Sequence, residues 1–174
     1  MRFIKSKIKD CVEIIPKKIS DNRGYFQRVF CSDLFRGSKL NYHVYQINNS
    51  FSNKKGTTRG LHYQTGFHSE TKIMKCISGK LDLYVVDLRT NEKTYLQYER
   101  FTLEPKKNNM VMVPNGCANG IQTLEDNTEI IYFVSNYYAP KFEKGINFND
   151  PRISIKLRLP ISVITKKDKS WPFI

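Results

Sequence analysis

The stretch Lys72-Ile73-Met74-Lys75-Cys76-Ile77-Ser78-Gly79-Lys80-Leu81-Asp82-Leu83-Tyr84-Val85-Val86-Asp87-Leu88 decides the fold class. Two apolar runs, Lys72 to Ile77 and Lys80 to Leu88, flank Ser78-Gly79, a dipeptide compatible with a tight hairpin. Neither run sustains the i, i+3, i+4 spacing of an amphipathic helix. The pattern recurs outward in both directions: Val12 to Ile15, Gly24 to Phe30, Tyr42 to Ile47, Tyr95 to Leu103, Asn109 to Val113, Gly120 to Leu124 and Thr128 to Val134 read as further strands. Nine candidate strands predict an all-β sandwich or barrel. Pro114-Asn115-Gly116 is a strong turn signal, while Thr90-Asn91 and Glu125-Asp126-Asn127 read as polar loops. Ser32 to Phe35 reads as one short helical turn, and the tail after Pro140 as an irregular segment packed over the barrel.

Composition narrows the function classes. The chain has 174 residues, with 29 Lys plus Arg against 16 Asp plus Glu, a formal charge of +13. Its length predicts one domain over residues 1–174, and 40% hydrophobic residues supply a core, which excludes disorder and fibres. No apolar run approaches the roughly 20 residues of a membrane-spanning helix, and the start MRFIKSKIKD lacks a secretory core. The expected location is the cytoplasm. Cys11, Cys31, Cys76 and Cys117 are scattered and form no CxxC, so reduced thiols are expected. His43, His62 and His68 form no metal-ligand spacing, so no metal is expected. Lys and Arg are spread along the whole chain without a nucleic-acid-binding motif, which favours attraction of a small anionic substrate over nucleic acid.

Alternation along strands shows which side chains share a face. Lys72, Met74 and Cys76 point one way, so a lysine heads an apolar face. Tyr132 shares its side with Ile130 and Val134, which turns its hydroxyl inward. His62 lies with Gln64, opposite Leu61 and Tyr63. Each has an ordinary structural explanation, since lysines snorkel to rims and buried tyrosines bond backbone carbonyls. A histidine, a lysine and a tyrosine converging in one cavity would instead mark a site.

Arg59-Gly60-Leu61-His62-Tyr63-Gln64 is similar to the RGLHxQ signature of the dTDP-4-dehydrorhamnose 3,5-epimerase family. Asp21-Asn22-Arg23-Gly24-Tyr25-Phe26 resembles that family's D-x-R-G-x-F, Gln46-Ile47-Asn48 its Q-x-N, and Val85-Val86-Asp87-Leu88-Arg89 its VDLR strand. The tail continues the likeness with Tyr137-Tyr138-Ala139-Pro140, Gly145-Ile146, Asn149-Asp150-Pro151 and Ile164-Thr165-Lys166-Lys167-Asp168. These collinear motifs cover nearly the whole chain. The resemblance implies a cupin-type β jelly roll, usually a homodimer whose N-terminal strands cross to the partner.

It also implies cofactor-independent epimerisation of a nucleotide-diphosphate-linked 4-keto-6-deoxy sugar in deoxysugar biosynthesis. Carbons 3 and 5 flank the ketone, so their protons leave only if a base accepts them while the developing O4 enolate is stabilised. Carried over position by position, His62 is the base, Asp168 orients its imidazole, Lys72 faces O4, and Tyr132 returns a proton from the other side of the ring. Arg23 and Arg59 suit phosphate oxygens. Phe26, Gln46, Asn48 and Tyr138 match further substrate-binding positions, with Tyr138 as a stacking or a packing residue. His43 and His68 match no catalytic position and read as surface or loop residues.

Three departures bear on specificity. The family's G-F-A-H-G turn is Gly116-Cys117-Ala118-Asn119-Gly120 here, so an amide that cannot become cationic stands where the family carries a histidine. Asn119 can donate to a sugar oxygen, which leaves inversion at C3, at C5 or at both open. Arg28 replaces an acidic residue usual after the family's aromatics, which leaves dTDP or CDP open. The closing Lys167-Asp168-Lys169-Ser170-Trp171-Pro172 resembles relatives acting on other deoxysugars, some linked to CDP. A non-catalytic cupin that binds a sugar nucleotide is the alternative reading.

Overall fold

The computed structural model describes residues 1–37 and 42–174. In chain order the strands are β1 (Arg2–Lys5), β2 (Val12–Ile15), β3 (Lys18–Asp21), β4 (Gly24–Gln27), β5 (Gln46–Ser52), β6 (Thr58–Gln64) and β7 (Lys72–Ser78). They continue with β8 (Leu81–Asp87), β9 (Tyr98–Leu103), β10 (Met110–Val113), β11 (Cys117–Thr123), β12 (Thr128–Val134) and β13 (Glu143–Gly145). The α-helices are short: α1 (Ser32–Gly37) and α2 (Lys166–Lys169). No helix among the described residues is long and apolar enough to cross a membrane.

One sheet has the order β1-β2-β10-β7-β12-β5 and the other β13-β6-β11-β8-β9, while β3 and β4 pair only with each other. The strands pair antiparallel throughout. The decisive stretch therefore contains two strands, as its alternation predicts, but they do not pair as a hairpin. β7 lies between β10 and β12, whereas β8 lies between β11 and β9 in the other sheet. Gly79 makes the crossing with φ +70, and a Cβ there would overlap Thr128. The Pro114 to Gly116 turn likewise carries the chain from β10 in one sheet to β11 in the other. Such repeated crossings between two facing sheets are what a jelly roll requires.

The faces are apolar for separate reasons. Leu81, Leu83 and Val85 alternate into the core between the sheets with Met74, Val111 and Ile130. Tyr84 and Val86 point outward from the same strand and are covered by Ile146, Phe148 and Ile153 of the tail. A strand buried on both sides reads as one continuous apolar run, which is why this stretch dominates the sequence. Each fully buried aliphatic side chain contributes about 1.5–3 kcal/mol. On the far side, Phe35 of α1 packs with Phe30 and Tyr42 over Ile73, Met110 and Phe133. Two buried carboxylates inside this framework are paired: Asp82 accepts Arg158 Nε at 2.8 Å, and Asp87 accepts Arg89 Nε at 2.8 Å. All four cysteines are unpaired.

Strand boundaries differ from expectation where polar residues lie on strands. β5 begins at Gln46 and runs through Asn48, Asn49 and Ser50, beyond the expected Tyr42 to Ile47, because its backbone pairs with β12 along its length. β6 also escapes the alternation rule: Thr58-Arg59-Gly60-Leu61 has no clean period, yet it pairs with β11 and β13. Gly60 has φ +111, and a Cβ would come to 2.7 Å from the Asn119 carbonyl oxygen. A backbone bent there by glycine presents His62 to the space between the sheets.

Candidate active site

His62 is fixed by pairing on both sides, with Asn119 of β11 opposite it in one direction and Gly145 of β13 in the other. Its Nε2 lies 2.6 Å from Asp168 Oδ1. Asp168 arrives from the far end of the chain on α2. Thr165 caps that helix, its hydroxyl accepting the Asp168 N–H at 3.1 Å, and Asp168 Oδ2 accepts the Gly60 N–H at 3.3 Å. With the carboxylate accepting the Nε2 proton, a neutral imidazole keeps its lone pair on Nδ1.

Asp168 is 4% exposed. Burial pushes its carboxyl up, but the hydrogen bond and charge of His62, with Gly60 N–H and the Thr165 hydroxyl, outweigh that and hold it below the ordinary carboxylate range. A carboxyl with a depressed folded pKa contributes stability that is complete above its unfolded value and is lost as pH falls through the folded one. Asp168→Asn is therefore expected to lower Tm at pH 7. That deficit should shrink below about pH 4. Thermal melts of both proteins from pH 7 to pH 3 check this, and a constant deficit would contradict it.

Lys72 and Tyr132 come from the opposite sheet, on neighbouring strands β7 and β12. Lys72 Nζ makes a 2.8 Å ion pair with Glu70 Oε1, with both side chains largely enclosed. The Tyr132 hydroxyl has no hydrogen-bond partner among the described residues. Burial, followed by the nearby Glu70 charge, raises its pKa, so the phenol stays protonated.

A cavity with two lobes joins these groups, and His62, Lys72 and Tyr132 line both. The polar lobe, about 330 Å³, is bordered by Gln46, Asn48, Glu70, Tyr138 and Glu143. The core-side lobe, about 300 Å³, rests on Met74, Ile121 and Ile130 and carries Arg59, Asn119 and Asp168. Arg59 donates to the Phe51 carbonyl at 3.0 Å and to Ser52 Oγ at 3.3 Å, which holds its guanidinium in the core-side lobe. Gln46 accepts the Tyr138 N–H at 2.6 Å, and the Tyr138 hydroxyl donates to Glu143 at 2.8 Å.

Two sequence candidates lie apart from this cavity. Arg23 and Phe26 sit on the β3–β4 hairpin, where Arg23 pairs with Asp21 at 2.7 Å and Phe26 is 60% exposed. His43 is exposed and His68 stacks on Phe142, both outside the strands. No group of three or more His, Cys, Asp or Glu side chains among the described residues is arranged to hold a metal. Glu70, Glu143 and Lys167 border the cavity without having been singled out in the sequence. A carboxylate two positions before Lys72 on the same face is the one signal that could have found Glu70.

Comparison with known proteins places this arrangement in context. A curated dTDP-4-dehydrorhamnose 3,5-epimerase from Sinorhizobium fredii is 34% identical over 173 residues, covering 99% of this chain and 89% of that protein. The crystal structure of an epimerase from Legionella pneumophila in complex with dTDP-4-keto-L-rhamnose superposes with a TM-score of 0.93 at 28% identity, covering 99% of this chain and 92% of the other. A 3'-monoepimerase from Streptomyces bikiniensis in complex with dTDP-quinovose gives 0.91 at 26%, covering 98% and 86%. The family model described as dTDP-4-dehydrorhamnose 3,5-epimerase matches residues 5–174, and with that match the chain belongs to this family.

Proposed function

We propose that this chain is an isomerase that epimerises a nucleotide-diphosphate-linked 4-keto-6-deoxy sugar without a cofactor, in deoxysugar biosynthesis. The observation that carries the reading is the 2.6 Å pairing of His62 with a buried Asp168, facing Lys72 and Tyr132 across one cavity. In the reaction His62 Nδ1 takes the proton from a carbon beside the ketone, and the C–H electron pair moves into the carbonyl to give an enolate at O4. Lys72 stabilises that oxygen, and Asp168 stabilises the imidazolium that forms. Tyr132, approaching from the other sheet, gives its hydroxyl proton to the opposite face of the same carbon, which inverts it. Solvent then reprotonates the tyrosinate and takes the proton from His62.

The lobes support an orientation for the substrate. The apolar floor of Met74, Ile121 and Ile130 suits the 6-methyl group, which puts the sugar in the core-side lobe with Asn119 beside its oxygens and Arg59 at the phosphate attached to it. Gln46, Asn48 and Tyr138 then face the diphosphate and nucleoside in the polar lobe. Arg23 and Phe26 fit the scheme if the chain works as a homodimer and the β3–β4 hairpin reaches the cavity of a second copy. The exposed Ile19, Tyr25 and Phe26 of that hairpin, and Ile47 and Phe51 on the edge strand β5, support such pairing.

Incubation with dTDP- and CDP-linked 4-keto-6-deoxy sugars in deuterated water, followed by NMR, tests the reading. Label is expected at C3, at C5 or at both with one of the two nucleotides. Binding without label at any carbon would point to the non-catalytic cupin, which the named relatives do not favour. Asn119 favours a second reading, inversion at a single carbon, because its amide cannot exchange protons as a histidine would. Label confined to one position would establish it.

A further inference from the structure

Asp168 reaches His62 from a helix of only four residues near the end of the chain, which by itself cannot fix a carboxylate to within a fraction of an ångström. We propose that the segment beginning at β13 holds it there through a latch, with Trp171 and Lys167 as positioning residues on either side of Asp168. Glu143, Gly145 and Asn147 are alternate residues, and each engages the closing segment. Glu143 accepts Lys167 Nζ at 2.5 Å. Gly145, the register partner of His62, lies against the Trp171 indole, and a Cβ there would overlap the ring. Asn147 Nδ2 donates to the Lys169 carbonyl at 2.8 Å and to the Trp171 carbonyl at 3.3 Å, while its N–H donates to the Pro172 carbonyl at 3.1 Å.

The indole also meets the imidazole of His62 edge to face, with ring centroids 6.1 Å apart, and Lys167 Nζ stands 5.5 Å from the indole centroid. The absence of a side chain at Gly145 therefore makes the slot that Trp171 fills, and Trp171 closes one side of the dyad. Glu143 bonds Tyr138 as well, so the latch is continuous with the polar lobe.

This inference rests on His62 and Asp168 acting as the dyad, and the test separates the two ideas. Trp171→Ala is expected to lower kcat by about 10- to 100-fold, the cost of a misplacement near 1 Å, while KM changes little. Trp171→Phe should recover most of the loss, and Gly145→Ala should reproduce it, since its methyl occupies the indole's slot. If Trp171 acts through Asp168, adding Trp171→Ala to Asp168→Asn costs nothing further. A wild-type kcat for Trp171→Ala, or losses that multiply in the double variant, would overturn the latch while leaving the dyad intact. An unimpaired Asp168→Asn would overturn both.

Discussion

His62→Asn should slow the wash-in of solvent deuterium beside the ketone by about 10²- to 10⁴-fold, the range ordinarily lost with a positioned general base. The asparagine fits the space between Asn119 and Gly145, so the strand pairing on both sides is retained, although its shorter side chain stops short of Asp168. What disappears is the lone pair that Nδ1 offers while Nε2 is held by the carboxylate at 2.6 Å. The loss should fall on kcat, since Gln46, Asn48 and Tyr138 of the polar lobe are unchanged. Exchange at the wild-type rate in this variant, followed by NMR in deuterated water, would remove His62 from the mechanism.

Lys72→Met is expected to cost about 10²- to 10³-fold in kcat, the usual loss on removing one oxyanion donor. Its effect should exceed that of the double variant Lys72→Met with Glu70→Gln. In the native cavity the Glu70 carboxylate is neutralised at 2.8 Å by Lys72. Methionine alone leaves that carboxylate enclosed without a partner, close to where negative charge builds on O4 and to the diphosphate. Breaking an enclosed ion pair on one side is more damaging than replacing both members by neutral groups. Steady-state kinetics of the three proteins decide the matter, and a double variant slower than Lys72→Met would contradict it.

Much of the framework was legible because burial on two sides leaves a strong imprint. The Leu81–Asp87 strand reads as a continuous apolar run since the core lies on one face and the tail on the other. Partnering was not legible: Ser78-Gly79 looks like a hairpin turn, and only the position of Thr128 against Gly79 makes it a crossing between sheets. β5 runs past the expected Ile47 because Asn48, Asn49 and Ser50, polar residues that suit a loop by composition, pair with β12, and Asn48 lines the cavity. Alternation placed Lys72 and Tyr132 on inward faces, and both line the cavity with His62.

Other parts of the site depend on contacts distant in sequence. Asp168 meets His62 across 106 residues, and no local pattern announces that. It entered through the family resemblance alone. Glu70 and Trp171 carry no local signal, because their partners become visible only when β6, β7 and β13 are folded. Arg23 and Phe26 lie on a hairpin that pairs with neither large sheet, so their place relative to the cavity belongs to the assembly.

In the proposed mechanism the reacting carbon is served from two sheets, with His62 removing the proton and Tyr132 returning one to the opposite face. Single-turnover NMR of Tyr132→Phe in deuterated water tests it most directly. Deuterium is expected to enter the substrate at a rate close to wild type while the epimerised product fails to accumulate. Exchange and inversion that remain coupled and equally fast in that variant would contradict it.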